Sequence, residues 1–452
     1  MQPFRYHIFI CDQKKPEGLP CCSARGSVRV IESMRRELAS HGLIDQVQLT
    51  TCGSLGLCEN GPNMVIYPEG VWYSCVQPRD VSEIVQSHFV DGHPVERLMR
   101  TSATDTKAEI CQNRDRYMAS LKAKDAAGML PDALNDTIRA FQESRVILTA
   151  LELDLFTAVS NGATAAQVAA KIGSDARATE MLMNAITAMD LLKKSGDVFA
   201  NTALSSRYFR EGSPDNQRMA LMHTVHLWNT WSTLTDCVRT GTSVTVSKGQ
   251  SRDEFWTRAF IAAMHRNAQG LAPQIVAAVG LDGARRMIDL GGGSGAYSIA
   301  FAQAKPDLRL DILDLPNVLP LTEDYVRQAG LQDRITLVPG DLRTDAFGQG
   351  YDLALLSAIC HMFSVEQNRG LLSRAYAALA PSGRLVIRDF ILEPDKTAPR
   401  SGTLFALNML VGTAAGNSYS ELEYEEWLRA AGFREIRRLR LPAMAGIIIG
   451  TK

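Results

Sequence analysis

The sequence predicts an α/β protein of several domains, and three observations carry that expectation. After Met287, short β-rich runs alternate with helical patterns, as in a parallel sheet covered on both faces. The first hundred residues read β-α-β-β-α. Between these parts, Pro131 to about Arg210 is helix-rich and ends in a helix followed by a small turn with β character. A length of 452 residues gives room for about three domains. With 46% apolar and 21% charged residues, the chain lies well outside the composition of disordered proteins.

Charge and hydropathy narrow the function classes. Forty-eight Lys and Arg against 49 Asp and Glu leave a net charge of -1, so no global field gathers nucleic acid or anionic lipid. No window approaches the roughly 18 apolar residues of a membrane helix, and Arg5, His7 and Asp12 occupy the region where a signal peptide would be apolar. These readings predict a cytoplasmic chain with neither a membrane nor a nucleic-acid partner. Thiols stay reduced in that compartment, so the nine cysteines read as metal ligands or core residues rather than disulfides.

Taken in order, His7 to Cys11 and Val47 to Thr50 read as strands around a helix from Ser27 to Ser40, where Val30, Ile31, Met34 and Leu38 have helical spacing. Asn63 to Tyr67 and Val71 to Val76 form a hairpin about Pro68-Glu69-Gly70, and a helix follows over Arg79 to Phe89. This predicts a domain over 1–100. Residues 101–128 are polar, with Tyr117 the one aromatic, and read as a linker with some helical tendency. Residues 129–260 read as a helical winged-helix domain closed by Leu191 to Phe199. In residues 261–452, Met287 to Leu290, Leu310 to Leu313, Ile335 to Val338, Leu353 to Leu356 and Leu385 to Ile387 are the sheet strands.

Five cysteines fall in the first 60 residues: Cys11, Cys21, Cys22, Cys52 and Cys58. Their spacing matches neither a C-x-x-C redox pair nor a zinc ribbon, so a cluster, zinc or buried structural thiols all stay open on spacing alone. The runs His7-Ile8-Phe9-Ile10-Cys11, Cys22-Ser23-Ala24-Arg25-Gly26-Ser27, Thr51 to Pro62 and Tyr67-Pro68-Glu69-Gly70-Val71-Trp72-Tyr73 together resemble the thioredoxin-like 2Fe-2S ferredoxins across nearly all of 5–98. That resemblance implies a 2Fe-2S cluster on Cys11, Cys22, Cys52 and Cys58, with Cys21 a bystander, and a redox partner protein. The loop between Cys52 and Cys58 is longer than is usual in that family.

Met287-Ile288-Asp289-Leu290-Gly291-Gly292-Gly293-Ser294-Gly295-Ala296 is a strand, a glycine turn and a helix start, where backbone amides can approach a ligand. As a bare pattern it also fits a dinucleotide site. Asp289 just before the glycines, Asp341 after the third strand and the lack of a second nucleotide-binding half argue against one. From Pro131 to Lys452 the chain resembles the class I S-adenosylmethionine-dependent O-methyltransferases of the plant caffeate and acetylserotonin type, with their winged-helix dimerisation domain and Rossmann-like catalytic domain. The resemblance implies that Gly291 and Gly293 pass beside the methionine part, Asp314 binds the ribose, Asp341 with Leu342 holds the adenine, and Ser357 lines the site. It places His361 as general base and Asp389 as an acid that orients it, with Ser418 where a second acid is expected. Met222, His226, Trp231, Met264, His265, Asn408 and Met409 fall on helical patterns that face the acceptor in that family.

Proton abstraction explains the histidine. A phenol or enol must lose its proton to attack a sulfonium methyl in line, and imidazole is the side chain that accepts a proton near neutral pH. The expected activity is therefore O-methylation of a small hydroxylated aromatic or enolic acceptor, with a 2Fe-2S domain of redox or regulatory role. The alternative is a redox carrier or sensor whose second half binds S-adenosylmethionine without catalysis. A winged-helix regulator is disfavoured because residues 131–210 carry eight Lys or Arg against nine Asp or Glu, which leaves no basic footprint for DNA. Leu148, Leu151, Leu155, Met181, Met183, Ile186 and Met189 suggest more apolar surface than a small winged fold covers, hence a homodimer.

Overall fold

A computed structural model describes residues 3–15, 19–246, 254–440 and 446–452. The chain divides into two compact units, Met1–Phe141 and Gln142–Lys452. No helix of the described residues is long and apolar enough to cross a membrane.

In the first unit, β1 (Tyr6–Cys11) pairs parallel with β2 (Val47–Cys52) and antiparallel with β3 (Met64–Tyr67), which pairs antiparallel with β4 (Val71–Tyr73). The sheet order is β2-β1-β3-β4. Alternation along β1 sends Ile8 and Ile10 into the core, where Val30, Ile31, Met34 and Leu38 of helix Ser27–Ser40 meet them. The helix expected over Arg79 to Phe89 is broken. A 3-10 turn at Pro78–Asp80 leads to one helical turn, Val81–Ile84, and a wider π turn, Val85–Val90. That widening accompanies burial of His88, whose Nδ1 lies 2.9 Å from the Tyr73 hydroxyl.

The linker expected over 101–128 is corrected. Ala103–Ala126 is a 24-residue helix, opened by Ser102, whose hydroxyl accepts the Asp105 amide. The helix packs on the loop that carries Cys58. Asn113 donates to the Gly56 carbonyl at 2.8 Å, Asn60 donates to Glu109 at 2.8 Å, and Ile110 presses on Gly56. Only Thr106 and Asn113 of this helix are buried, so its docking face is polar and gives no apolar stripe in the sequence.

The second unit joins the two expected domains, 129–260 and 261–452, in one compact body that starts at Gln142. Its wing is β5 (Ala163–Thr164), β6 (Leu192–Ser195) and β7 (Val198–Asn201), in the order β5-β7-β6. Helices Ala165–Ile172 and Ala176–Ala188 close a core of Leu151, Leu155, Phe156, Val168, Met183, Ile186 and Phe199. Of the seven residues behind the assembly argument, Leu148, Leu151, Leu155, Met183 and Ile186 are buried within the chain itself, while Met181 is 59% exposed. A further exposed apolar face precedes these residues. Leu134 and Ile138 of helix Asp132–Arg139, with Phe141 just beyond it, are 48%, 56% and 54% exposed.

The large sheet contains β8 (Arg286–Leu290), β9 (Arg309–Asp314), β10 (Ile335–Pro339), β11 (Tyr351–Ser357), β12 (Leu379–Asp389), β13 (Arg434–Leu439) and β14 (Gly446–Thr451). Its order is β10-β9-β8-β11-β12-β14-β13. The parallel sheet expected from alternation is present in five strands and becomes mixed at one edge. β8 to β12 are parallel, but β14 enters antiparallel between β12 and β13. Ile447, Ile448 and Ile449 supply that strand and are buried. The chain leaves β8 in one direction through β9 and β10, then returns to build β11 and β12 on the other side. Ligands of open α/β sheets bind at the carboxyl edge beside such a reversal.

Candidate active site

The carboxyl ends of β8, β9 and β11 bring the glycine turn, Asp314 and Ser357 to one edge. Gly291 has φ +77°, and a Cβ there would lie 2.4 Å from Ile359 and 3.1 Å from Leu342. Only glycine fits that turn. Beneath it Asp289 is fully enclosed. One carboxylate oxygen accepts the Ser298 hydroxyl at 2.7 Å, and the other has no hydrogen bond. Burial, with the neighbouring Asp314 charge, pushes its carboxyl up to about 7.

Asp314 ends β9 and holds the turn from the far side. Its two oxygens accept the amides of Gly293 and Leu315, each at 2.7 Å. A carboxylate offers about four lone-pair sites, so each oxygen keeps one for a vicinal diol. That capacity fits the ribose of S-adenosylmethionine. Asp341 is drawn aside instead. Its carboxylate is bound by the Arg343 guanidinium, with the nearest contact at 2.6 Å, and that bond holds it below the usual carboxylate range. Leu342 is buried against Gly291. Ser357, at the end of β11, faces Tyr297, whose hydroxyl closes no hydrogen bond.

His361 lies in the short 3-10 turn Cys360–Met362 that follows β11. Its Nδ1 is 2.6 Å from Asp389 Oδ1, and its backbone amide donates to the other oxygen of that carboxylate at 3.2 Å. Asp389 is fully buried at the end of β12. Burial raises its pKa, but the His361 ring and the amides of Phe390 and His361 outweigh that effect and hold it below the usual range. Asn417 donates to the His361 carbonyl at 2.9 Å, and a Cβ at Gly416 would meet that same oxygen at 2.4 Å. Ser418, where an acid was expected, is buried with an unbonded hydroxyl.

Of the residues expected to face an acceptor, Met222 packs with Leu148, Val225 and Ala259 in the core. Trp231 donates to Asn408 at 2.9 Å and ties helices Arg218–Trp231 and Arg400–Gly412 together. His265 Nδ1 lies 2.9 Å from the Ser294 hydroxyl while its ring stacks on Tyr325, and burial lowers its pKa. Sequence reasoning missed Phe390 and Phe405. Phe405 meets the His361 ring edge-on at 4.8 Å between centroids and stacks on Phe390. Phe390 was legible as the neighbour of Asp389. Phe405 lies on a remote helix and left no trace at the motif.

In the other unit, Cys11 and Cys52 are register partners at the ends of β1 and β2. The Cys22 thiol donates to Cys11, which lowers Cys11 to about 6 and raises Cys22. Cys22 also accepts from Asn63 at 3.4 Å, while Cys58 is held by Lys15 at 2.9 Å and Ser54 at 3.4 Å. Among the described residues no three Cys, His, Asp or Glu side chains form a set that could hold a metal ion.

Several known proteins are similar to this chain. An O-methyltransferase domain model matches residues 231–434, and an O-methyltransferase dimerisation domain model matches 135–211. The 3-hydroxy-5-methyl-1-naphthoate 3-O-methyltransferase of Streptomyces sahachiroi is 32% identical over 338 residues, which cover 71% of this chain and 95% of that protein. The L-tyrosine C(3)-methyltransferase of Streptomyces lavendulae is 30% identical over 321 residues, 67% of this chain and 88% of its own. Human N-acetylserotonin methyltransferase, solved in complex with S-adenosylmethionine, superposes with a TM-score of 0.63 at 26% identity over 72% of this chain and 98% of its own. The chain belongs to the S-adenosylmethionine-dependent O-methyltransferases that carry this dimerisation domain.

Proposed function

We propose that the unit Gln142–Lys452 methylates a hydroxyl of an aromatic acceptor with His361 as general base. The observation that carries this is the 2.6 Å contact between His361 Nδ1 and the buried Asp389 carboxylate. Asp389 keeps the proton on Nδ1, so Nε2 presents a lone pair to the acceptor hydroxyl. As the imidazole gains charge, the same carboxylate stabilises it. Phe390 and Phe405 pack the ring and exclude water, a role that grows because Ser418 supplies no second charge. S-adenosylmethionine supplies an electrophilic methyl when bound. The chain's part is to seat it: Asp314 takes the ribose, Gly291 and Gly293 let the backbone lie beside the methionine part, Leu342 and Asp341 border the adenine, and Asp289 with Ser298 braces the turn.

Asp389→Asn is the test. It preserves shape but removes the negative charge that supports the protonated ring, so kcat should fall by about 10²–10⁴-fold while S-adenosylhomocysteine affinity stays within about 2-fold. An unchanged kcat excludes His361 as the base.

For the first unit, we propose a 2Fe-2S cluster on Cys11, Cys22, Cys52 and Cys58, with a redox or regulatory role and a redox partner protein. The β2-β1-β3-β4 sheet supports this reading, as does the approach of Cys11 to Cys22 and Cys52. Two irons span a wider thiol set than one ion does. A cluster with such ligands persists in a reducing compartment, which favours the cytoplasm.

A further inference from the structure

Arg388 stands out among the guanidinium groups of the catalytic sheet. Four residues earlier on the same strand and face, Arg384 donates to the carbonyls of Val279 and Gly280, each at 2.8 Å. Arg388 has no such acceptor. Its Nε is buried without a partner, and among the described residues no carboxylate lies within ion-pairing distance. Beside it lies Tyr297, whose ring centroid is 5.5 Å from the guanidinium carbon. A half-buried cation with no counter-charge is costly, and the cost is relieved when an anion enters.

The surroundings define that anion's place. Arg388, the next-to-last residue of β12, is the register partner of Ser357, which ends β11 at the carboxyl edge beside the glycine turn. Tyr297, in the first turn of the helix after that turn, contributes a buried hydroxyl that is likewise unbonded. The Arg388 guanidinium and the Tyr297 hydroxyl therefore meet beside Ser357 with donor capacity left over. Two planar N–H donors and adjacent O–H donors match a carboxylate. The next residue, Asp389, holds the proposed base, so the carboxylate would lie one strand position from the methyl-transfer machinery.

We infer that Arg388, with Tyr297 and Ser357, is a carboxylate-binding subsite at the methyl-transfer edge. It takes either the carboxylate of an acidic hydroxyaryl acceptor or the amino-acid carboxylate of the methyl donor. This rests on the proposal that methyl transfer occurs above this edge. In the first case the acceptor is an aromatic hydroxy acid and Arg388 sets specificity. In the second, Arg388 positions the donor and leaves acceptor choice to other residues.

Paired ligands that differ by the carboxylate decide it. For the donor, calorimetry compares S-adenosylhomocysteine with 5′-methylthioadenosine, which lacks the amino-acid end. For the acceptor, binding and turnover compare 3-hydroxy-1-naphthoate with 2-naphthol. Arg388→Met should weaken the carboxylate member of one pair by about 10–100-fold, shift its uncharged counterpart less than about 2-fold, and leave the melting temperature near that of the parent. Arg388→Lys should restore part of the loss. The inference is overturned if Arg388→Met moves both members of each pair equally, or moves none. Binding is read without turnover, so a wild-type protein that methylates neither naphthalene would defeat the proposed function while the calorimetry still decides the subsite.

Discussion

Asp314 and Asp289 are two carboxylates on either side of one turn, and the structure assigns them different work. Asp314 offers lone pairs outward, so Asp314→Ala should weaken S-adenosylhomocysteine binding by roughly 1.5–3 kcal/mol in calorimetry. Unchanged affinity would remove it from the cofactor site. Asp289 is enclosed, and its folded pKa, pushed up to about 7, exceeds the ordinary carboxylate value of the unfolded chain. The folded state thus keeps a proton that the unfolded chain releases. Stability of the ligand-free protein should fall as pH rises from about 4 to about 7, by on the order of 4 kcal/mol from this group. Thermal unfolding across that window checks this: Asp289→Asn should flatten the slope, and an unaltered slope would show that Asp289 is not its source.

Helix Ala103–Ala126 and the loop beneath it form one element pair, and Gly56 is its tightest point. A Cβ at Gly56 would lie 2.7 Å from Ile110, at φ +84°. Gly56→Val should therefore undock the helix and raise deuterium exchange over 103–126; unchanged exchange would mean the helix stands without that contact. The same elements show what the sequence could disclose. Ser27–Ser40 and the strands β8 to β11 were legible because each repeats apolar residues at its own period. Ala103–Ala126 was not, since Glu109 and Asn113 dock it through hydrogen bonds that leave no apolar periodicity. β14 was missed because a buried run such as Ile447-Ile448-Ile449 does not declare its direction. His361 and Asp389 were legible only through a motif, and their 2.6 Å contact joins two strand ends 28 residues apart. In the head, Cys52→Ser and Cys58→Ser should each lower iron and sulfide content, while Cys21→Ser should retain both. Full iron in the first two would refute the ligand set.

At the scale of the whole molecule, the exposed Leu134, Ile138 and Phe141 overlap the start of the matched dimerisation region at residue 135. A second copy of the chain is the occupant we propose for that face. Light scattering should give a dimer for the parent and a monomer for Leu134→Glu with Ile138→Glu; a parent mass in the double variant would place the interface elsewhere. The assembly serves one reaction, and the similarity to both O- and C-methyltransferases makes the methylated atom the decisive observable. The most direct measurement is the carbon-13 spectrum of product formed from methyl-labelled S-adenosylmethionine and a hydroxyaryl acceptor, with wild type and His361→Ala. The account predicts an aryl methyl ether resonance, formed about 10²–10⁴-fold more slowly by the variant. A methyl group on ring carbon, or equal rates from the two proteins, would contradict it.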